Sequence, residues 1–247
     1  MSLVKKTLGA LKQNGILYVM SESIPHLHRH YIRDHLPRRK GVLNSVEVRH
    51  MRVFDEIVPW KSSHPNPDVY EQGIISSISE YVQPGDNVVI VGGGWGVSTV
   101  KSAKKVGEKG SVQVFEASSQ YTNYIRETLA LNDVSTAVEV HNSVVGRTIS
   151  TLGKSDTDEI IDPVDIPKCD VLELDCEGVE MDILEGIELR PRVIIVETHG
   201  HLGSPTEEVI RKLEHLSYNI ISTELAEGGD LEEMCREKDV RVITAIR

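Results

Sequence analysis

Long apolar runs are missing from this chain of 247 residues. The longest, such as Asn87 to Val91 and Val193 to Val196, fall far short of the ~20 residues that cross a bilayer. No apolar signal-peptide core follows the first residues, so the reading is a soluble, non-exported, cytoplasmic protein without a membrane span. Basic charge is also in deficit: 27 Lys and Arg stand against 38 Asp and Glu, a formal charge of −11. Such a chain repels phosphate backbones and anionic lipid, which argues against a nucleic-acid partner. Cysteine occurs only as Cys169, Cys176 and Cys235, odd in number and without C-x-x-C spacing. That gives no sign of a disulfide framework or a thiolate metal site. The length itself suits one well-filled domain with a small appendage.

From about Tyr70 onward, short β-branched runs alternate with helical-period stretches, the pattern of a parallel sheet covered by helices on both faces. Strands are expected at Asn87–Val91, Val112–Phe115, Val138–Val140, Asp170–Leu174 and Val193–Val196, and helices at Val97–Lys105, Gln120–Leu131, Val179–Glu185 and Thr206–Leu216. Tyr218–Thr223 and Val240–Ile246 flank a polar stretch carrying Gly228 and Gly229. They read as two strands closing the sheet as an antiparallel hairpin. Residues 1–69 form an N-terminal extension, a candidate lid or oligomerisation element, and 70–247 the main domain. In the extension, Leu3–Gln13 has helical spacing, Ser45–His50 and Arg52–Ile57 suit a short strand pair, and Pro59 to Pro67 reads as a linker.

The first strand runs straight into Gly92-Gly93-Gly94-Trp95-Gly96, and a helix opens at Val97. Glycine lets the main chain turn sharply and approach a ligand closely, while the amides of a helix start attract negative charge. Glu116 ends the second strand, followed by Ala117. A carboxylate there can accept the hydroxyl protons of a ribose. A dinucleotide fingerprint counted from Gly92 needs a small residue where Val97 stands, and S-adenosylmethionine needs no diphosphate cradle, so the methyl donor is the preferred cofactor. A nicotinamide-dependent oxidoreductase on the same loop and a non-catalytic binding protein stay open as alternatives.

The fourth strand continues as Asp175-Cys176-Glu177-Gly178-Val179-Glu180, then Leu184-Glu185-Gly186, and the fifth ends in Glu197-Thr198-His199. This order closely resembles the FkbM family of S-adenosylmethionine-dependent methyltransferases, with its Asp-x-Glu-Gly-x-Glu segment followed by Leu-x-Gly. The resemblance covers about Tyr70 to His199. It implies an α/β, Rossmann-like class I methyltransferase fold with a mainly parallel seven-stranded sheet, and methylation of hydroxyl groups on sugars or natural-product scaffolds. The chain is also similar to archaeal members associated with surface-glycan modification. It departs from the family at Ile90, where the glycine loop is usually preceded by Asp, and at Glu173, where lysine is common.

Methyl transfer from a sulfonium is an in-line displacement, and an alcohol acceptor must also lose its proton. Strand carboxyl ends place Asp175, Glu177 and His199 on one crevice. His199 is the candidate general base, with Asp175 or Glu177 orienting it or taking the proton directly. Glu177 and Glu180 suit helix-start capping equally well. Asn142 and Ser143 follow the third strand, where they can contact adenine or merely turn the chain. Trp95 can pack over the cofactor, and Glu71 can face its methionine end. His26-x-His28-x-His30 lies beside Pro25 and several arginines. It reads as a basic loop meeting an anionic acceptor such as a uronic acid, and no metal site is expected. The oligomeric state stays open, with a homo-oligomer among the outcomes.

Overall fold

The computed structural model describes residues 35–53, 55, 68–146, 156–157 and 159–247. The chain divides into two units, Met1–Gly41 with His50–His64 and Val42–Arg49 with Pro65–Arg247; the sheet and the candidate site belong to the second. The Leu3–Gln13 helix, the His26–His30 run and the Pro59–Pro67 linker of the sequence reading lie outside the described residues. Among the described residues, no helix is long and apolar enough to cross a membrane.

A hairpin comes first, β1 (Arg38–Leu43) and β2 (Val46–Arg52). The sequence reading paired Ser45–His50 with the segment after it, and the structure corrects this. Asn44 and Ser45 both take positive φ, 46° and 64°, as a two-residue hairpin turn of matching twist requires. The partner strand is therefore the one before the turn, while Arg52 ends β2 and Val53 already turns away.

After α1 (Gln72–Tyr81), the main unit alternates as expected through β3 (Asn87–Val91), α2 (Val97–Val106), β4 (Ser111–Glu116), α3 (Ser119–Leu131) and β5 (Ala137–Asn142). A small parallel pair, β6 (Val144–Val145) and β7 (Ile160–Ile161), precedes β8 (Val171–Leu174), α4 (Glu180–Gly186), β9 (Val193–His199), α5 (Thr206–His215), β10 (Asn219–Leu225), α6 (Glu232–Lys238) and β11 (Val240–Ile246). The seven-stranded sheet has the order β10-β11-β9-β8-β3-β4-β5. All neighbours are parallel except β11, which runs antiparallel to both β9 and β10. This is the mainly parallel, seven-stranded Rossmann-like sheet expected from the sequence.

The last pair is antiparallel as expected, but it is not a simple hairpin. The short helix α6 lies between its strands. Its segment is polar, and only Cys235 is fully buried from it, so no apolar period announces it. Asp239, at φ 54°, ends it in the left-handed conformation.

Side-chain alternation sorts the central strands onto two cores. Val88 and Ile90 face the layer containing Ile74, Val100 and Ile125. Val89 and Val91 face Ile183, Leu184, Val209 and Leu213. Strands buried on both faces are possible only because helices cover each side; β9 accordingly reads as an apolar run from Val193 to Val196, and β8 as one apart from a single residue. That residue is Glu173, 1% exposed, flanked in register by Ile90 and Ile195.

Neither carboxyl oxygen of Glu173 makes a hydrogen bond of normal geometry. Burial pushes its pKa up to about 8, a rise that the Ser98 hydroxyl tempers and the Asp175 charge adds to. An unfolded chain releases this proton near the ordinary carboxyl value, whereas the folded one holds it to about 8. Ionisation thus favours unfolding across that window, and stability falls as pH rises through it. Glu173→Met removes the burden without a large change in volume. In chelator-treated protein, its melting temperature should exceed that of the native chain by several degrees more at pH 8 than at pH 5, reflecting up to a few kcal/mol. An equal difference at both pH values contradicts the assignment.

Candidate active site

The strand order reverses at β3: the chain proceeds outward through β4 and β5 on one side, then returns to lay β8 and β9 on the other. Ligand crevices in open α/β sheets open beyond the strand carboxyl ends at such a switch point. A cavity of about 490 Å³ lies here, lined by the glycine loop, the ends of β4 and β8, and Tyr70 and Glu71 ahead of α1.

The glycines have different jobs. Gly92, at φ +88°, joins β3 to the loop so closely against the strand end of β8 that a Cβ there would be driven into the Asp175 carbonyl, 2.7 Å from its carbon. Gly93 is packed instead against Val114 and Ile125. Gly94, at φ +49°, opens onto the cavity, where a Cβ would meet only Glu71 Oε1 at 3.8 Å and Tyr70 Oη at 4.0 Å. Gly96 takes φ 84° as the N-cap of α2. Trp95 lines the cavity with its ring stacked on Tyr124 at 4.7 Å and edge-on to Tyr121 at 5.8 Å.

Glu116, 8% exposed, ties this loop together. Its Oε2 accepts the amides of Gly93 at 3.1 Å and Gly94 at 3.3 Å, and its Oε1 accepts that of Ser118 at 2.9 Å. A carboxylate has about four acceptor directions, so one on Oε1 stays open toward the cavity, enough for one hydroxyl of a ribose. Burial raises its pKa, the three amide bonds lower it, and Glu177 raises it further.

Ala117, Ser143, Asp175 and Glu177 also line the cavity. Asn142 does not: its Nδ2 donates to the Glu116 carbonyl at 3.0 Å, fastening β5 to β4. The apolar wall, unforeseen from the sequence, is Phe115, Val144, Val145, Cys176 and Val179. Burial raises the Cys176 thiol, so it is no nucleophile.

His199 sits behind Asp175 rather than on the cavity wall. Its Nδ1 lies 2.9 Å from Glu180 Oε1, and its Nε2 lies 3.8 Å from Asp175 Oδ1 and 3.6 Å from Glu197 Oε1. Glu180 is fully buried, and beyond the histidine it accepts the amides of Cys176 and Gly178. It therefore braces the Asp175–Glu180 turn as well as the ring. That turn needs the braces, since Glu177 takes φ 52°. Burial lowers the His199 pKa, but the bond to Glu180 and the charges of Asp175, Glu180 and Glu177 outweigh this and raise it.

Acidity dominates this end of the cavity. Burial pushes Asp175 up to about 6, with His199 opposing and Glu180, Glu177 and Glu116 adding. Glu227, whose Oε2 accepts the Glu71 amide at 3.1 Å, is pushed by burial to about 7. Among the described residues, no Lys or Arg forms an ion pair with Glu71, Asp175, Glu197 or Glu227.

No protein-family model matches the chain, and no curated protein does. Among solved structures it is similar to a ribosomal protein L11 methylase from Lactobacillus delbrueckii subsp. bulgaricus, at 18% identity over 70% of this chain and 75% of that one, with a TM-score of 0.47. It is similar to a precorrin-6y C5,15-methyltransferase from Geobacter metallireducens, at 16% identity over 78% and 96% of the two chains, TM-score 0.49. It is also similar to Aeropyrum pernix fibrillarin with natively bound S-adenosyl-L-methionine, at 12% identity over 85% and 82%, TM-score 0.47.

Proposed function

We propose that the chain is an S-adenosylmethionine-dependent O-methyltransferase of the FkbM kind, acting on a hydroxyl or uronic-acid carboxyl of a sugar, glycan or similar small molecule. The observation that carries this is the cavity at the switch point, closed on one side by a glycine loop that Glu116 holds in shape. The residues fit a nucleoside. Gly94 leaves space that any side chain would fill, Glu116 keeps one acceptor direction open, and the buried Ser143 Oγ, on the cavity wall, has no hydrogen-bond partner.

Glu116 would hold the ribose, Ser143 and Phe115 the base, and Glu71 the amino group of the methionine end. When bound, the cofactor supplies a methyl group on a sulfonium, open to attack by an oxygen. The chain's own residues then hold that oxygen in line and receive its proton. Of the candidates, Asp175 lines the cavity and His199 does not. Asp175 is thus the proton acceptor, Glu177 borders the same space, and His199 is a positioning residue, fixed by Glu180 at its back. For a carboxylate acceptor no proton need be taken, and alignment supplies most of the acceleration.

Glu116→Ala tests the assignment. It removes both the open acceptor direction and the clamp on the Gly93 and Gly94 amides, so affinity for S-adenosylmethionine by equilibrium dialysis should fall at least tenfold, about 1.4 kcal/mol. Unchanged affinity would remove the cofactor from this crevice.

A further inference from the structure

Asp175 at the end of β8 and Glu197 and His199 on β9 each direct one ligand atom to a common point, and the three atoms lie within 4.8 Å of one another. Glu197 and His199 are two apart on one strand, so they share a face. A metal–ligand bond of about 2.1 Å places ligand atoms roughly 3 to 4 Å apart, and the spacings of His199 Nε2, 3.6 Å to Glu197 and 3.8 Å to Asp175, need only a slight contraction. The imidazole is arranged as metal-binding histidines are, with one nitrogen bound to a buried carboxylate, Glu180, so that the other presents its lone pair.

A second observation points to the same place. Glu71 is 8% exposed, and its Oε2 has no hydrogen-bond partner. It lines the cavity together with Asp175, whose charge acts on it more strongly than any other. With Glu227 beside it and no Lys or Arg of the described residues paired to the group, the site gathers buried carboxyl groups around a single imidazole. Buried carboxylates in such number call for a cation.

We propose that Asp175, Glu197 and His199 bind a divalent metal ion through one carboxylate oxygen each and Nε2, with Glu71 on the adjoining cavity wall. Two hard oxygens and one imidazole suit an ion such as Mn²⁺ with open positions for water or an acceptor oxygen. Ligation through Asp175 Oδ1 leaves its second oxygen for an acceptor's proton. Because Asp175 and the Glu197–His199 pair come from strands separated in sequence, no ligand spacing marks the site in the chain.

The test is a titration of the chelator-treated full chain with Mn²⁺ by calorimetry, in the absence of any methyl donor, so that its outcome is separate from that of the proposed function. One Mn²⁺ per chain is expected, with affinity at least tenfold weaker in Glu197→Gln and in His199→Gln. His141→Ala, which removes a half-buried histidine 3.6 Å from Glu139, should leave binding unchanged. Pulsed paramagnetic resonance of the native chain should show one imidazole nitrogen coupled to the bound Mn²⁺, a readout that survives if a variant fails to fold. Absence of saturable binding, affinity equal to the native chain's in both folded variants, or no coupled nitrogen overturns the site.

Discussion

Replacing Gly92 by alanine is expected to cost more stability than any other substitution in the loop. The residue stands at φ +88° and its added Cβ would enter the Asp175 carbonyl group. The positive φ alone costs about 1 kcal/mol, and the clash adds to it because the obstacle is main chain: β3 and β8 are hydrogen-bonded neighbours, with the Asp175 amide donating to Val91 at 2.9 Å. Relief requires prising their ends apart. A loss above about 4 kcal/mol is expected, which lowers the melting temperature of a chain this size by roughly 10 °C or more.

Gly94→Ala gives the contrasting result. Its Cβ would project into the cavity at ordinary contact distance from Glu71 and Tyr70, so the fold should lose only the cost of its positive φ, about 1 kcal/mol. Binding of the nucleoside should suffer instead. Calorimetric melting and ligand titration on the two variants separate the roles, and equal effects on both quantities would show that the loop's glycines are interchangeable.

The second large effect concerns turnover. Asp175→Asn keeps the size of the side chain and one oxygen for the proposed ion, but it abolishes the carboxylate proposed to receive a hydroxyl proton. With any alcohol acceptor that the native chain methylates, kcat should fall by about 10² to 10⁴, while the KM for S-adenosylmethionine should change only a few-fold. A fall in KM-linked terms alone would mean that Asp175 positions the cofactor and takes no proton. With a carboxylate acceptor the same variant should be far less impaired, since no proton leaves.

The sheet was legible because its central strands are nearly pure β-branched runs. Asn87–Val91 matches β3 residue for residue, and its arrival at a glycine loop fixed where the crevice opens. The elements misread were those whose signals are polar. Arg38–Leu43 is rich in basic residues and shows no clean alternation, so the first hairpin was shifted, and α6 buries a single cysteine.

At the site, Gly92, Gly94 and Trp95 from the glycine loop and Asp175 and Glu177 from the turn after β8 line one cavity, while Gly93 and Gly96 do not. What the sequence does not display is depth. Asp175 and His199 are equally good proton acceptors on paper, yet Asp175 lines the cavity and His199 stands behind it. The bond from Glu180 to His199 spans 19 positions between different elements, and Glu197 carries no local signature. Asn142 fits an adenine contact by its place at the end of β5, whereas its amide is used to fasten two strands. Burial and cross-strand geometry decide these cases, and neither is written in residue spacing.

The central claim is that a sulfonium nucleoside occupies the crevice beneath Glu116. The most direct measurement is calorimetric titration of the whole chain with S-adenosylmethionine and, separately, with NAD⁺. One saturable site for the methyl donor and none for the dinucleotide is the result expected. Binding of NAD⁺ alone, or of neither compound, would contradict it.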